Sequence, residues 1–359
     1  MTLAAVGIVG YAMVLSAILC AIARRVAPRI GLIDKPDARK AHEAPTPLGG
    51  GVAIWMTTAL VLSTGVLALK FGHSWLPPDL AIHAQGALDR IGELGVIVGL
   101  STAIMVLGLL DDRFKLGWQP RILVQFAVAI AFVLTGDRVT LFQAGGSATR
   151  FLMAALTVFW IVGLTNAFNF LDNMDGLAAS VGLIAALLFV GAQVAVGSLF
   201  VPAVLLVLVG ALAGFLLHNR PPARLFMGDA GSNFLGFLLG TLTVAGTFTR
   251  AGFPPYGIVT PLLVMAVPLY DTASVVLIRL REGRSPFQPD RCHLSHRLVD
   301  RGLTPARAVA TIGLITLAGG LGSLLLSQVN TAFGAAVIVA QTICLLGLVA
   351  VLEVSTGKA

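Results

Sequence analysis

Apolar residues in this chain fall in long, nearly unbroken runs separated by short polar segments, the pattern of membrane spans rather than of one-sided helices or strands. A helix needs roughly 20 apolar residues to cross the hydrocarbon core. Windows of that kind recur at about 2–23, 50–69, 92–110, 120–136, 150–167, 177–195, 199–217, 232–249, 257–280, 308–327 and 331–352, the fourth being short. The pattern predicts an all-α polytopic membrane protein of about eleven transmembrane helices, one integral domain over residues 1–359. Polar residues gather in the loops at 24–49, 111–121, 168–176, 218–231 and 279–307. The first window is no secretory signal, although Ala21-Ile22-Ala23 looks like a cleavage site. Such a signal wants positive charge ahead of the apolar run, and here Arg24, Arg25 and Arg29 follow it. It reads as a retained span with its N-terminus outside.

Composition agrees. At 57% hydrophobic and 11% charged residues, the chain departs from soluble domains, where about a quarter are charged. Charge then orients the bundle. With eleven crossings, the named loops and the C-terminal tail share one side and hold 19 Lys and Arg against 5 on the other. Treating the uncharged stretch 176–217 as one span gives only 14 against 10. The positive-inside rule therefore predicts a multi-pass protein of the cell (inner or plasma) membrane, C-terminus and polar loops in the cytosol. Most acidic residues lie on that side too. The net charge of +7 is mainly this topological bias, and no stacking or groove-reading motif suggests nucleic acid. Cys20, Cys292 and Cys344 are too scattered for a disulfide framework or zinc site.

Within the polar loops, carboxylates and amides are denser than packing requires. Asp111-Asp112 ends the third window, where the helix dipole disfavours negative charge. Nearby Arg113, Lys115 and Arg121 can anchor lipid headgroups or bind phosphate. Asn166, Asn169, Asp172, Asn173 and Asp175 crowd ten positions, although a helix cap needs one such residue. If the fifth helix continues, Asn166, Asn169 and Asn173 share a face. Hard oxygen donors at this density suit Mg²⁺, which takes one or two carboxylates plus phosphate and water oxygens. The segment from Asn219 to Ser232 sets Asp229 between Gly228 and Ala230-Gly231, with Phe226 read as an exposed ring beside Arg220 and Arg224. Asp271 lies inside the ninth window, as a functional acid or as a partner for backbone freed by Pro268. The loop at 279–307 brings His293, His296 and several arginines that can clamp a diphosphate or simply meet headgroups.

These segments, in this order, resemble the polyprenyl-phosphate N-acetylhexosamine-1-phosphate transferase family (glycosyltransferase family 4) over nearly the whole chain. The matching motifs are 34–42 with 45–50, Leu110-Asp111-Asp112-Arg113, 166–178, Phe226-Met-Gly228-Asp229-Ala-Gly231-Ser232, and Asp290-Arg291-Cys-His293-Leu-Ser-His296-Arg297. The resemblance implies Mg²⁺-dependent transfer (Mn²⁺ able to substitute) of a sugar 1-phosphate from a UDP-N-acetylhexosamine to undecaprenyl or another polyprenyl phosphate. UMP is released on the cytosolic face, as the first membrane step of a cell-envelope glycopolymer. It makes Asp111 and Asp112 the catalytic pair and Asn169 and Asp229 the metal site. Asp172, Asp175, Asn219, Phe226, His293, His296 and Arg297 become substrate contacts, with Asp175, Asn219 and Phe226 about the uridine. It leaves a homodimer open. The loop is closer to the N-acetylglucosamine branch than to the phospho-MurNAc-pentapeptide branch, which shows three consecutive histidines. Ser295 stands where the family's His-x-His-His pattern has a histidine, so sugar contacts are left open.

A phosphate monoester has a second pKa near 6, so the lipid acceptor is largely a dianion and needs no strong base. Asp111 or Asp112 can remove a residual proton or orient the acceptor, in one step or through a phospho-aspartyl intermediate. The rival from another class is an ion-coupled secondary transporter. Such sites sit near the midplane in repeated, broken helices, whereas here only Asp271 is deep and no repeat is visible.

Overall fold

A computed structural model describes residues 2–34, 45–72, 78–136, 146–249, 251–252, 254–286 and 290–354, without the side chains of 78–80 and 354. Lys35 to Ala44, including Arg39, Lys40 and His42 of the first motif, lie outside the described residues. The helices in chain order are α1 (Thr2–Val26), α2 (Gly50–Phe71), α3 (Pro78–Asp89), α4 (Ile91–Phe114), α5 (Trp118–Leu134), α6 (Ser147–Leu171) and α7 (Leu177–Ala195). There follow α8 (Phe200–Asn219), α9 (Gly228–Ala245), α10 (Thr260–Val264), α11 (Ala266–Arg281), α12 (Leu294–Asp300), α13 (Pro305–Leu321) and α14 (Ala332–Val354). The one sheet among the described residues is a two-strand ladder, β1 (Ile33–Asp34) antiparallel to β2 (Thr46–Pro47).

Among the described residues, eight helices are long and apolar enough to cross a membrane: α1, α2, α4, α6, α7, α8, α13 and α14. A ninth crossing is available from α10 and α11 with the turn before them, bent by 58°. The bend has a local cause, since Pro268 has no N–H to offer the carbonyl of Val264. The windows at 120–136 and 232–249 also became helices, but α5 has only 17 residues. The 18 residues of α9 begin with a polar turn containing Asp229, Ser232 and Asn233. Helix α3, inside an expected loop, has no counterpart among the windows.

Interior position, rather than apolarity, distinguishes α9. Every residue from Ala230 to Thr243 is buried, and the helix packs against α2, α4, α6 and α7. Alongside, α1 and α8 approach closely through Gly210 and Gly214, where an added Cβ would lie 2.5 Å from the Val9 carbonyl oxygen and 2.3 Å from that of Met13. This is the small-residue spacing by which membrane helices pack backbone to backbone. Ser16 Oγ completes the contact by donating to the Ala211 carbonyl at 2.6 Å. The connection between α1 and α2 folds over the start of α9. Phe226 N donates to the Pro47 carbonyl at 3.0 Å, while Gly50 N and Gly51 N donate to the carbonyls of Phe226 and Met227, each at 2.9 Å.

Candidate active site

The site is built on the N-terminus of α9. Its first turn has unpaired N–H groups and no cap from its own side chains. The cap comes from α4: Asp229 N donates to Asp112 Oδ1 at 2.9 Å and Ala230 N to Asp112 Oδ2 at 3.1 Å. Gly228 has φ +70°, and a Cβ there would stand 2.6 Å from Asp112 Oδ2, so this turn requires glycine. One turn earlier on the same face of α4, a Cβ at Gly108 would lie 2.2 Å from the Asp229 carbonyl oxygen. Gap and carboxylate recur at i and i+4, which lets the two helices lock. Neither Asp229 nor Ser232 caps this helix from within.

Asp111 faces differently. It is buried, and Arg121 from the first turn of α5 donates to its Oδ2 at 2.5 Å. The same Nη1 lies 3.5 Å from Asp229 Oδ2. Asn169 at the end of α6 donates to Asp229 Oδ1 at 2.6 Å and to Ser232 Oγ at 3.1 Å. Beneath them, Asn166 donates to Gln125 Oε1 at 2.7 Å, Gln125 to Asn233 Oδ1 at 3.4 Å, and Asn233 to the Asp229 carbonyl at 2.8 Å. Asp172, just past α6, is half-buried, and no hydrogen-bond partner for its carboxyl is found among the described residues. Burial, then the charges of Asp112 and Asp175, push it up to about 7.

Two acids from two helices thus flank one guanidinium, and Asp172 lies close enough to Asp112 to feel its charge. The oxygens of Asp111, Asp229 and Asp172 are hard donors of the class Mg²⁺ takes, and Asp172 has no cation partner among the described residues. Among the described residues there is no cluster of three His, Cys, Asp or Glu poised as a complete cage. The set fits a metal held by one or two carboxylates and completed by a ligand's phosphates. Asn169 presents its amide N–H to Asp229, so its observed part is to orient that carboxylate.

The 218–227 segment is held from behind. Asn219 accepts from Gly176 N and donates to the Leu225 carbonyl, both at 2.9 Å, and is buried. Asp175 Oδ2 accepts from Ala223 N at 2.8 Å. Neither Asp172 nor Asp175 caps α7, which starts from Gly176 at φ +76° with no side-chain cap. Phe226 is half-buried rather than exposed, its ring packed on Ala27, Leu32 and Leu48.

The histidine loop reaches the same end of the bundle. His293 Nδ1 is 2.9 Å from Asp271 Oδ2, and Leu294 N donates to Asp271 Oδ1 at 2.6 Å. Asp271 therefore caps α12. Phe170 lies edge-on to His293 at 5.8 Å between ring centroids, and Ser295 donates to Asn173 Oδ1. Through Asn169 and Phe170, the end of α6 joins the two halves of the site. Burial, then the charges of Arg291 and His293, hold His296 below its usual range, so at neutral pH it is uncharged.

The arginine clamp expected of this loop is mostly committed elsewhere. Arg279, fully buried, grips Asp290 at 3.0 and 3.1 Å, and Arg284 joins it at 2.8 Å. Burial pushes Asp290 up, but the Arg279 hydrogen bond, the Cys292 N–H and the two arginine charges outweigh it and hold the carboxyl well below its usual range. Arg297 donates to Ser274 Oγ at 2.9 Å and pairs with Glu353 of α14 at 3.1 Å, so it docks helices and is turned from the diphosphate role. Arg121, left open between headgroup and phosphate, is the cation at the centre. Gln125 and Asn233 were not singled out; two amides in otherwise apolar windows were the available signal.

Residues 94–247 match the family model described as glycosyl transferase family 4. The chain is 32% identical over 315 residues to a probable undecaprenyl-phosphate N-acetylglucosaminyl 1-phosphate transferase of Bacillus subtilis, covering 87% of this chain and 82% of that one. It is 34% identical over 357 residues to a decaprenyl-phosphate N-acetylglucosaminephosphotransferase of Mycolicibacterium smegmatis, covering 90% and 84%. An undecaprenyl-phosphate alpha-N-acetylglucosaminyl 1-phosphate transferase of Escherichia coli is 31% identical over 314 residues, covering 83% and 77%.

Proposed function

Because the chain belongs to glycosyl transferase family 4, we propose that it moves N-acetylglucosamine 1-phosphate from UDP-N-acetylglucosamine to a membrane polyprenyl phosphate, releasing UMP. It is a phospho-sugar transferase, and its substrates are read from relatives that align along most of their length. The observation that carries the chemistry is Arg121 set between Asp111 and Asp229, with Asp172 close enough to feel the charge of Asp112. A reaction between two anions needs that kind of neutralising centre.

An oxygen of the acceptor phosphate attacks the β-phosphorus of the donor. The bond from that phosphorus to the bridging oxygen breaks, and UMP leaves with the electron pair. Asp229, with Asp111 or Asp172, would hold a Mg²⁺ ion, which would supply charge neutralisation for the diphosphate and the leaving UMP. Arg121 screens the approaching acceptor and Asp111 holds Arg121 in place. Asp112 keeps the first turn of α9 in position. His296, neutral in the free enzyme, hydrogen-bonds the donor, and Arg291 adds a charge at the loop's edge. The uridine lies by the 220–227 segment, whose shape Asp175 and Asn219 maintain. The bundle crosses the bilayer eleven times, α5 and α9 included, with this site in the cytosol. The product is the first lipid-linked sugar of an envelope polymer.

The test is UMP release by purified protein given undecaprenyl phosphate and Mg²⁺, with UDP-N-acetylglucosamine compared against UDP-N-acetylgalactosamine and UDP-MurNAc-pentapeptide. Release that needs lipid and metal and prefers the first donor is expected. Preference for another donor would overturn the sugar assignment, and absence of release from folded protein would overturn the reaction.

A further inference from the structure

Away from the carboxylates, a cavity of about 430 Å³ opens between the end of α1, β2 and the segment after α8. Arg24, Arg25 and Arg224 line it, together with Thr46, Pro47 and Ala223. Among the described residues no carboxylate lines it, and none of the three guanidiniums has an ion-pair partner. Three like charges around one hollow repel one another, so the arrangement is stable only with an anion or water among them. A second hollow of about 330 Å³ begins at Ala21, which lines both, and runs along α1 and α8 past Val14, Ile18 and Leu217. Its walls are almost wholly apolar. His218 forms its polar end, with Nε2 3.1 Å from the Ala17 carbonyl oxygen.

We propose that these two hollows form one site for an anionic phospholipid of the bilayer, its phosphate among Arg24, Arg25 and Arg224 and an acyl chain along the α1–α8 groove. Basic residues at a helix end attract anionic headgroups, and the continuous apolar groove is what a free phosphate would not need. The occupant is a bilayer phospholipid rather than the acceptor because Asp111, Asp172 and Asp229 do not line the cavity and no acid among the described residues lines it to carry a metal. It can hold a phosphate and cannot activate one. Its wall is also part of the site's frame: Ala223 N binds Asp175, and the Pro47 carbonyl binds Phe226 N. A lipid seated there braces the segment that leads into Asp229.

The test is binding, so it stands apart from turnover. Purified full-length protein in neutral detergent is titrated with dioleoyl-phosphatidylglycerol, dioleoyl-phosphatidylcholine, inorganic phosphate and undecaprenyl phosphate, reading thermal unfolding and lipid retained in native mass spectrometry. Phosphatidylglycerol should be retained and raise the unfolding temperature, while phosphatidylcholine and inorganic phosphate should not. Arg224→Gln should weaken that response about fivefold, the share of one cation near an anionic surface. Arg224→Lys should keep most of it, and Arg220→Gln, outside the cavity, should leave it unchanged. Equal responses to phosphatidylcholine, protection by inorganic phosphate alone, retention of undecaprenyl phosphate only, or identical behaviour of Arg224→Gln and Arg220→Gln would each overturn the assignment.

Discussion

Adjacent aspartates at 111 and 112 do different work because they leave α4 in different directions. Both oxygens of Asp112 are spent on the N–H groups of residues 229 and 230, whereas Asp111 meets Arg121. Asp111→Asn and Asp229→Asn should each lower kcat a hundredfold or more, the loss of roughly 3 kcal/mol expected from a charge-stabilising group. Their unfolding temperatures should stay near wild type. Asp112→Asn should instead lower stability as well, by about 1–3 kcal/mol, since one carboxylate oxygen becomes an NH₂ facing a buried N–H. Calorimetry of the three variants separates the roles. Asp172 supplies a pH dependence. Its folded value of about 7 lies above the usual 3.8, so metal-free protein favours the neutral acid and loses stability as pH rises through that interval. Ionisation then favours the cation, and apparent Mg²⁺ affinity should rise between about pH 6 and 8. Asp172→Asn should flatten both curves, measured by unfolding and by metal titration.

Short elements in this protein are held from outside. Helix α12 has seven residues and cannot stand alone. Two rungs fix it to α11, His293 on Asp271 and Arg297 on Ser274, and Glu353 secures the second with Tyr270 donating at 3.0 Å. Glu353→Gln should therefore raise KM for the nucleotide donor while leaving that for the lipid acceptor unchanged. An equal change in both would remove α12 from the donor side. The loop before α12 hangs on buried Arg279 gripping half-buried Asp290, and since Arg284 would still pair with that acid, Arg279→Met should cost about 1–3 kcal/mol from the hydrogen bonds lost.

At the scale of the whole molecule, the proposed orientation can be checked with native thiols. Cys20 is buried in α1 and Cys344 lies in apolar α14, leaving Cys292 in the histidine loop. An impermeant maleimide should label Cys292 in inside-out vesicles and spare it in right-side-out ones. The class of the protein and the places where polarity breaks through were legible in the chain, because burying charge in lipid is costly enough to leave few charged positions unexplained. The motif residues of the family were legible too. Sequence alone could not divide labour among them. Asp112 and Asp229 are 117 positions apart, Arg279 and Asp290 share a loop but not a visible register, and Phe226 reads as exposed until Leu32 and Leu48 pack on it. Whether a carboxylate is free, capping a helix or paired depends on which backbone N–H or guanidinium lies within about 3 Å. Hydropathy sets where helices run; only their packing brings those partners to each oxygen.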